Sequence, residues 1–325
     1  MPQKMTLRRV IYFLILGAVI FITISACRGA IYQHPGSLTE VSTAEKCRVI
    51  QHTLGETCVP AKPQRIITLD IFSLGNAITL DVKPIASGSL RQEGELPSYL
   101  KNYVEGIQNI GMESQPNLEK IMLLKPDLII GRTGSSQSYS LLSKVAPTVI
   151  SDWYIGTHWQ ENFNFITNVL GEITSAQAAW NQYHERVEKI RSILDREHQY
   201  KEISVVGISL TEIDAFTKNS FSGSILSELK LQRPKAQDIT AEYGYIVVSE
   251  EELEKIDGDI LFVMVGNQDD EKAFESLKQK PLWQNLRAAQ TNQIYAVENH
   301  VWWGGNILAA NLVLDDLEKY LVNMP

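Results

Sequence analysis

The sequence predicts an α/β protein built as two doubly wound α/β lobes bridged by a single long α-helix. Three observations lead there. Short apolar runs alternate with helical segments from Arg65 to Ile150, and the alternation returns from Ile203 to Val297. Strands separated by helices indicate βαβ units around a parallel sheet. Between the two series, Ala176, Trp180, Tyr183, Val187, Ile190 and Leu194 recur at helical spacing, with no Gly or Pro from Ser175 to His198. At 1.5 Å per residue that segment makes a rod of roughly 36 Å. A chain of 325 residues is also too long for one compact core.

The N-terminus reads as a delivery label. Lys4, Arg8 and Arg9 precede an apolar run from Val10 to Ile24, shorter than the roughly 20 residues a membrane-spanning helix needs. Ile24-Ser25-Ala26-Cys27 resembles the site cut by lipoprotein signal peptidase. Residues 1–26 are therefore expected to be a signal peptide, Cys27 the acylated residue, and polar residues 27–46 a tether. An uncleaved anchor helix is the alternative; both readings export the globular part and hold it at a membrane. Cleavage removes three positive charges and no negative ones, so the formal net charge of −8 becomes more negative still. Such a surface argues against nucleic acid as a partner.

Cys47 and Cys58 flank a Gly-containing turn in an exported chain, a pattern that predicts a disulfide stapling a hairpin. Its contribution would be about 2–3 kcal/mol. Metal ligation is the poorer reading, since only His52 lies between the two thiols.

An N-terminal lobe is expected over residues 47–174. Arg65–Leu69 reads as a buried strand and Pro84–Ala86 as a second. Leu118–Leu124 reads as a helix, Lys125–Gly131 as a turn into another strand, and Pro147–Ile150 closes the series. The bridging helix spans 175–198. Its apolar seam is barely three heptads long, which favours packing within one chain and a monomer over a coiled-coil dimer. The C-terminal lobe, 199–325, is expected to hold strands at Ile203–Ile208, Asp259–Val265 and Ile294–Val297. Its helices are read at Gly223–Leu229, Glu250–Ile256 and Ile307–Val322.

With these elements placed, several segments resemble class III periplasmic binding proteins, the iron-siderophore and vitamin B12 branch of ABC-transporter solute-binding proteins, in its cyanobacterial-type lipoprotein form. Pro116-Asn-Leu-Glu-Lys-Ile121 followed by Leu124-Lys-Pro-Asp-Leu-Ile-Ile130 is similar to the N-lobe signature. Asn219–Leu226, Ser249–Leu253 with Ile256–Asp259, Pro281–Gln284 and Leu308–Asp316 are similar to the C-lobe. The resemblance covers residues 47–325 and implies a ligand held between the lobes. It also implies a permease dimer as partner, docked through Glu119 and Glu251. Asn117 and Ser249 are read as helix N-caps, with Glu252 completing a capping box and leaving Glu251 outward. The chain differs from the family at Gly75-Asn76, where many relatives carry a Glu. It differs again at Glu113, where hydroxamate binders of the group often place an Arg.

Ligands of doubly wound sheets sit outside the carboxyl ends of the strands. That rule nominates Arg132 and Tyr139 after Ile130, and Trp153, Tyr154, His158 and Trp159 after Ile150. It also nominates the loops after Ile208 and Val265, and His300, Trp302 and Trp303 after Val297. Tyr243 and Tyr245 precede Ser249, where relatives often present an aromatic. Of these, Arg132, Tyr139, Trp153, Tyr154, Tyr243, Trp302 and Trp303 are the expected ligand contacts; Arg91 reads as a solvated loop residue. Aromatic walls with a few guanidinium groups suit a large metal chelate with acidic oxygens, such as a ferric siderophore. Haem, cobalamin and a bare transition-metal ion are alternatives on the same fold. The six His are scattered singly, a poor pattern for direct ligation by the protein, and no cofactor is expected. An exported hydrolase is the alternative of another class, against which stands the absence of Gly-x-Ser-x-Gly, a phosphate-binding Gly-Lys-Ser/Thr loop and His-Glu-x-x-His.

Overall fold

The computed structural model describes residues 47–90, 96–153, 157–197 and 201–322. The expected signal peptide, Cys27 and the tether lie outside the described residues, as do Arg91, Tyr154 and His198.

Strands β1 (Cys47–His52) and β2 (Gly55–Pro60) form the antiparallel hairpin, with a Cys47–Cys58 disulfide and 5.5 Å between the Cα atoms. β3 (Ile66–Thr68) leads into α1 (Ile71–Thr79), and β4 (Ala86–Ser87) and β5 (Gln108–Asn109) follow. Then come α2 (Leu118–Leu124), β6 (Leu128–Arg132), the short helix α3 (Tyr139–Leu142) and β7 (Thr148–Ser151). The strand order is β5-β4-β3-β6-β7, all parallel. The hairpin covers the β7 edge: the Thr53 N–H donates to Ile150 O at 3.1 Å and Thr57 Oγ1 to Thr148 O at 2.9 Å. A covered edge cannot pair with another chain.

Helix α4 (Trp159–Leu170) ends at Gly171 and the bridging helix α5 runs Ile173–Glu197. The second sheet is built from β8 (Ile203–Ile208), β9 (Ile213–Phe216), β10 (Tyr245–Val248), β11 (Ile260–Val265) and β12 (Ile294–Glu298). Its order is β10-β9-β8-β11-β12. The three strands expected in this lobe, β8, β11 and β12, run parallel, and two that the sequence did not mark join them, with β9 antiparallel to both β8 and β10. Ser209–Glu212, the loop nominated after Ile208, is a hairpin turn, with the Ser209 N–H donating to Glu212 O at 3.0 Å. The helices are α6 (Phe221–Glu228), α7 (Gln268–Lys278), α8 (Pro281–Gln284), α9 (Arg287–Gln290), α10 (Asn299–Trp302) and α11 (Ile307–Leu317). Glu250–Ile256 is a 3-10 run with a kink at Glu252.

The central parallel strands of both sheets, β3 and β6 in the first and β8 and β11 in the second, are buried on both faces, as parallel strands with helical crossovers must be. Successive residues of β6 and β11 alternate between cores: Leu128, Ile130, Phe262 and Met264 enter one, while Ile129 enters a second and Leu261 and Val263 a third. The first core is shared by the lobes. It gathers Leu74 and Ala77 of α1, Phe163 of α4, Tyr183, Val187, Ile190 and Leu194 of α5, and Val313 and Leu314 of α11.

Candidate functional site

The site is set by where the apolar stripe of the first sheet ends. Register places Ile66, Leu128, Ile130 and Val149 on the face turned to the shared core. Continuing along the same face, the period-2 alternation of strands brings up Thr68, Ser87, Arg132 and Ser151. The stripe turns polar at its carboxyl end. Thr68 Oγ1 donates to Ser87 Oγ at 2.9 Å, and Arg132 pairs in register with Ser151.

Arg132 is the centre of this row and is 8% exposed. Its Nε lies 4.0 Å from Asp70 Oδ1, and its Nη2 donates to the Glu113 carboxylate. The guanidinium also stands over Phe72 and Trp153, 5.2 and 5.8 Å from the ring centroids. Asp70 caps α1, accepting from the N–H groups of Phe72 (3.0 Å) and Ser73 (2.8 Å) and from the Ser73 hydroxyl (2.8 Å). Burial, with the Asp70 charge, pushes the Glu113 carboxyl up to about 7 against the pull of Arg132.

The second lobe meets this row through residues 298–306 and the start of α6. The Ser98 N–H donates to Glu298 Oε1 at 2.9 Å, and Trp159 Nε1 donates to Ser224 Oγ at 2.9 Å. A short antiparallel bridge joins Thr157 to Ser220. Gly305, at φ +59°, lies under Trp153; a Cβ there would come within 2.6 Å of the indole. The close approach requires glycine, and it seats this turn of the second lobe against the Trp153 ring on which Arg132 rests. Trp303 is half-buried and edge-on to Phe216 at 5.7 Å, and Phe216 in turn contacts Tyr245. Among the described residues Arg132 Nε and Ser151 Oγ of this row, and Trp303 Nε1 of the second lobe, are buried donors with no hydrogen-bond partner. Unpaired buried donors are costly, and a ligand rich in acidic oxygens would satisfy them.

The aromatic expectations need correction. Trp302 is fully buried, stacked on Phe262 with centroids 4.6 Å apart and its Nε1 donating to Asp316 Oδ2 at 2.8 Å. Trp153 is 2% exposed, with its Nε1 held by Thr157 O. Both fill the protein and neither can wall a cleft, because a few residues of loop returned their rings to the core. Trp159 opens α4 and packs against Trp180, Tyr183 and Phe221 where the lobes join. Tyr139 is half-buried edge-on to His52 of the hairpin at 5.5 Å, and Tyr243 is 47% exposed two residues before β10. Tyr154 lies outside the described residues. The loops after Ile208 and Val265 line a hollow of their own, formed by Ser209–Thr211 and Asn267–Asp270. Asp70 and Ser151 were missed by sequence reasoning. Asp70 was discoverable, since an Asp between a strand and a helix is an N-cap signal. Nothing in the sequence marked Ser151.

Glu119 and Glu251 are exposed, each in the first turn of its element. Asn117 caps α2 through the Lys120 N–H at 2.9 Å, and Glu252 accepts from the Ser249 N–H (3.5 Å) and hydroxyl (3.2 Å). His158 is exposed and lies 3.6 Å from Glu161. Among the described residues no three His, Cys, Asp or Glu side chains gather to hold a metal ion.

This geometry has known counterparts. Residues 81–300 match a protein family described as "Periplasmic binding protein". The chain belongs to that family. Within it, the binding protein is 30% identical over 322 residues to the probable siderophore-binding lipoprotein YfiY of Bacillus subtilis, covering 95% of this chain and 97% of the relative. It is 31% identical to the achromobactin-binding periplasmic protein of Dickeya dadantii, over 79% of this chain and 86% of that one. Among solved structures, SirA of Staphylococcus aureus complexed with staphyloferrin B superposes with a TM-score of 0.75 at 26% identity, over 85% of this chain and 98% of that one. The fold is the two-lobed, class III form.

Proposed function

We propose that this protein captures a ferric siderophore or similar iron chelate outside the cytoplasm and delivers it to an ABC import permease. The observation that carries the reading is the pair Arg132 Nε and Ser151 Oγ, side by side in register at the carboxyl end of the first sheet and, among the described residues, buried donors without hydrogen-bond partners. Such a set fits the acidic oxygens of a chelate. Relatives named for siderophore binding, matched along almost their full length, support the same class of ligand. The role ends at binding and release, without chemistry on the ligand. Glu119 and Glu251 are the docking points for the two permease subunits, Cys27 carries the lipid that holds the protein at the membrane surface, and the receptor works as a monomer.

Tryptophan fluorescence titration tests this. Ferric staphyloferrin B, ferric citrate, ferri-bacillibactin, haemin and cobalamin are added in turn. One ferric chelate should quench the fluorescence at one equivalent with no product formed. Arg132→Ala should weaken that binding by about 10–100-fold, matching the roughly 1.5–3 kcal/mol of a hydrogen bond to a charged group. Saturation by haemin or cobalamin alone, or turnover of a ligand, would displace the siderophore reading. Anchoring has its own check: wild type should label with a fatty-acid analogue, and persistent labelling of Cys27→Ser at the same mass would exclude that site.

A further inference from the structure

Arg132 faces two carboxylates of unequal standing. Asp70 is fixed, 1% exposed, with its oxygens taken by the first turn of α1. Glu113 rides on the short loop from Gly111 to Pro116, whose ends are joined by an isolated bridge. Its carboxylate takes the Nη2 side of Arg132, accepts from Ser135 Oγ at 3.4 Å, and lies over Gly134. A Cβ on Gly134 would come within 2.4 Å of Glu113 Oε1, so the glycine makes the seat for this side chain. Among the described residues Arg132 and Asp70 are the charged groups that act on Glu113. With both carboxylates ionised the cluster carries one net negative charge, which opposes the arrival of a further anion.

We propose that Glu113 is an exchangeable counter-ion: it occupies Arg132 in the empty protein and yields the guanidinium to an acidic oxygen of the chelate, taking up one proton as it leaves. The inference rests on the siderophore reading and refines it, since Glu113 then sets which ligands compete for Arg132. One ion pair is broken and one formed, and a proton from solvent ends on the Glu113 carboxyl, so the cluster keeps its charge when the anion binds. Proton uptake is accessible near neutrality because burial and Asp70 already hold that carboxyl at about 7. Asp70 keeps its hydrogen bonds to the first turn of α1 and continues to orient Arg132.

The experiment compares wild type with Glu113→Gln, using whichever of ferric citrate, ferric staphyloferrin B and ferri-bacillibactin saturates the wild type. Dissociation constants are measured at pH 6, 7 and 8. The ratio between the two proteins cancels the chelate's own protonation. If only the protonated form releases Arg132, the apparent constant rises as the competent fraction falls. Glu113→Gln should bind about tenfold tighter than wild type at pH 8 and almost equally at pH 6. Calorimetry in buffers of different ionisation enthalpy should find uptake approaching one proton at pH 8 in wild type and much less in the variant. A ratio independent of pH, or weaker binding by the variant at every pH, overturns the exchange. Failure of every probe to saturate the wild type overturns the siderophore reading beneath it. Should Glu113→Gln not fold, Glu113→Ala repeats the comparison.

Discussion

Trp302 and Trp303 are adjacent in sequence and opposite in environment. Trp302 closes the inside of the second lobe, stacked on Phe262, whereas Trp303 is half-buried against Phe216 with an indole N–H that has no partner among the described residues. Their substitutions should therefore separate. Trp302→Ala should cost about 3–5 kcal/mol of stability, the usual range for emptying a large core site. Trp303→Ala should unfold near wild type and lose roughly tenfold in chelate affinity, the equivalent of about 1.4 kcal/mol. Thermal melts and fluorescence titration of the two variants check this; equal stability loss in both would show that Trp303 is only packing. The sequence marked both rings as candidates and could not tell them apart, because direction off a short helix is fixed by what lies beneath it.

Individual elements explain the two outward glutamates. Carboxylates in a first helical turn gain about 0.3–1 kcal/mol from the aligned peptide dipoles, so both could be present for local stability alone. The capping geometry speaks to this: Glu252 and Asn117 already serve their helix starts, which leaves Glu251 and Glu119 exposed and without that duty. Charge reversal of both to Lys should abolish ligand uptake in cells and leave the purified protein's affinity almost unchanged. Normal uptake by that double variant would reduce the pair to helix stabilisation. The capping was legible from Asn117 and from Ser249 with Glu252, since a cap depends on residues within one turn. Strands β9 and β10 were not legible. Asp214 interrupts the apolar pattern of the four-residue β9, and only pairing with its neighbours makes it a strand.

At the scale of the whole molecule, the shared core limits motion. Helix α5 is gripped along its length, and Arg186 donates to Asn311 O (3.1 Å) and Oδ1 (3.0 Å) and pairs with Asp315 of α11. Trp153 on Gly305 and Trp159 on Ser224 join the lobes at two further points. Closing by a wide hinge would break a packed interior, whereas small rotations would not. X-ray scattering should therefore give nearly the same radius of gyration with and without ferric chelate. A large decrease on binding would contradict the shared-core account.

Read alone, the sequence established the two series of strands, the long helix between them and the stapled hairpin, and it nominated Arg132. Each of these rests on local pattern: periodicity, turn residues, cysteine placement, or a charge at the end of an apolar strand. Tertiary structure decided the rest. It placed Glu113 from a distant loop on Arg132, set Ser151 beside it by strand register, and turned Trp153, Trp159 and Trp302 inward while leaving Trp303 half-buried against Phe216. These outcomes depend on which surfaces meet across the lobes, and no window along the chain holds that information.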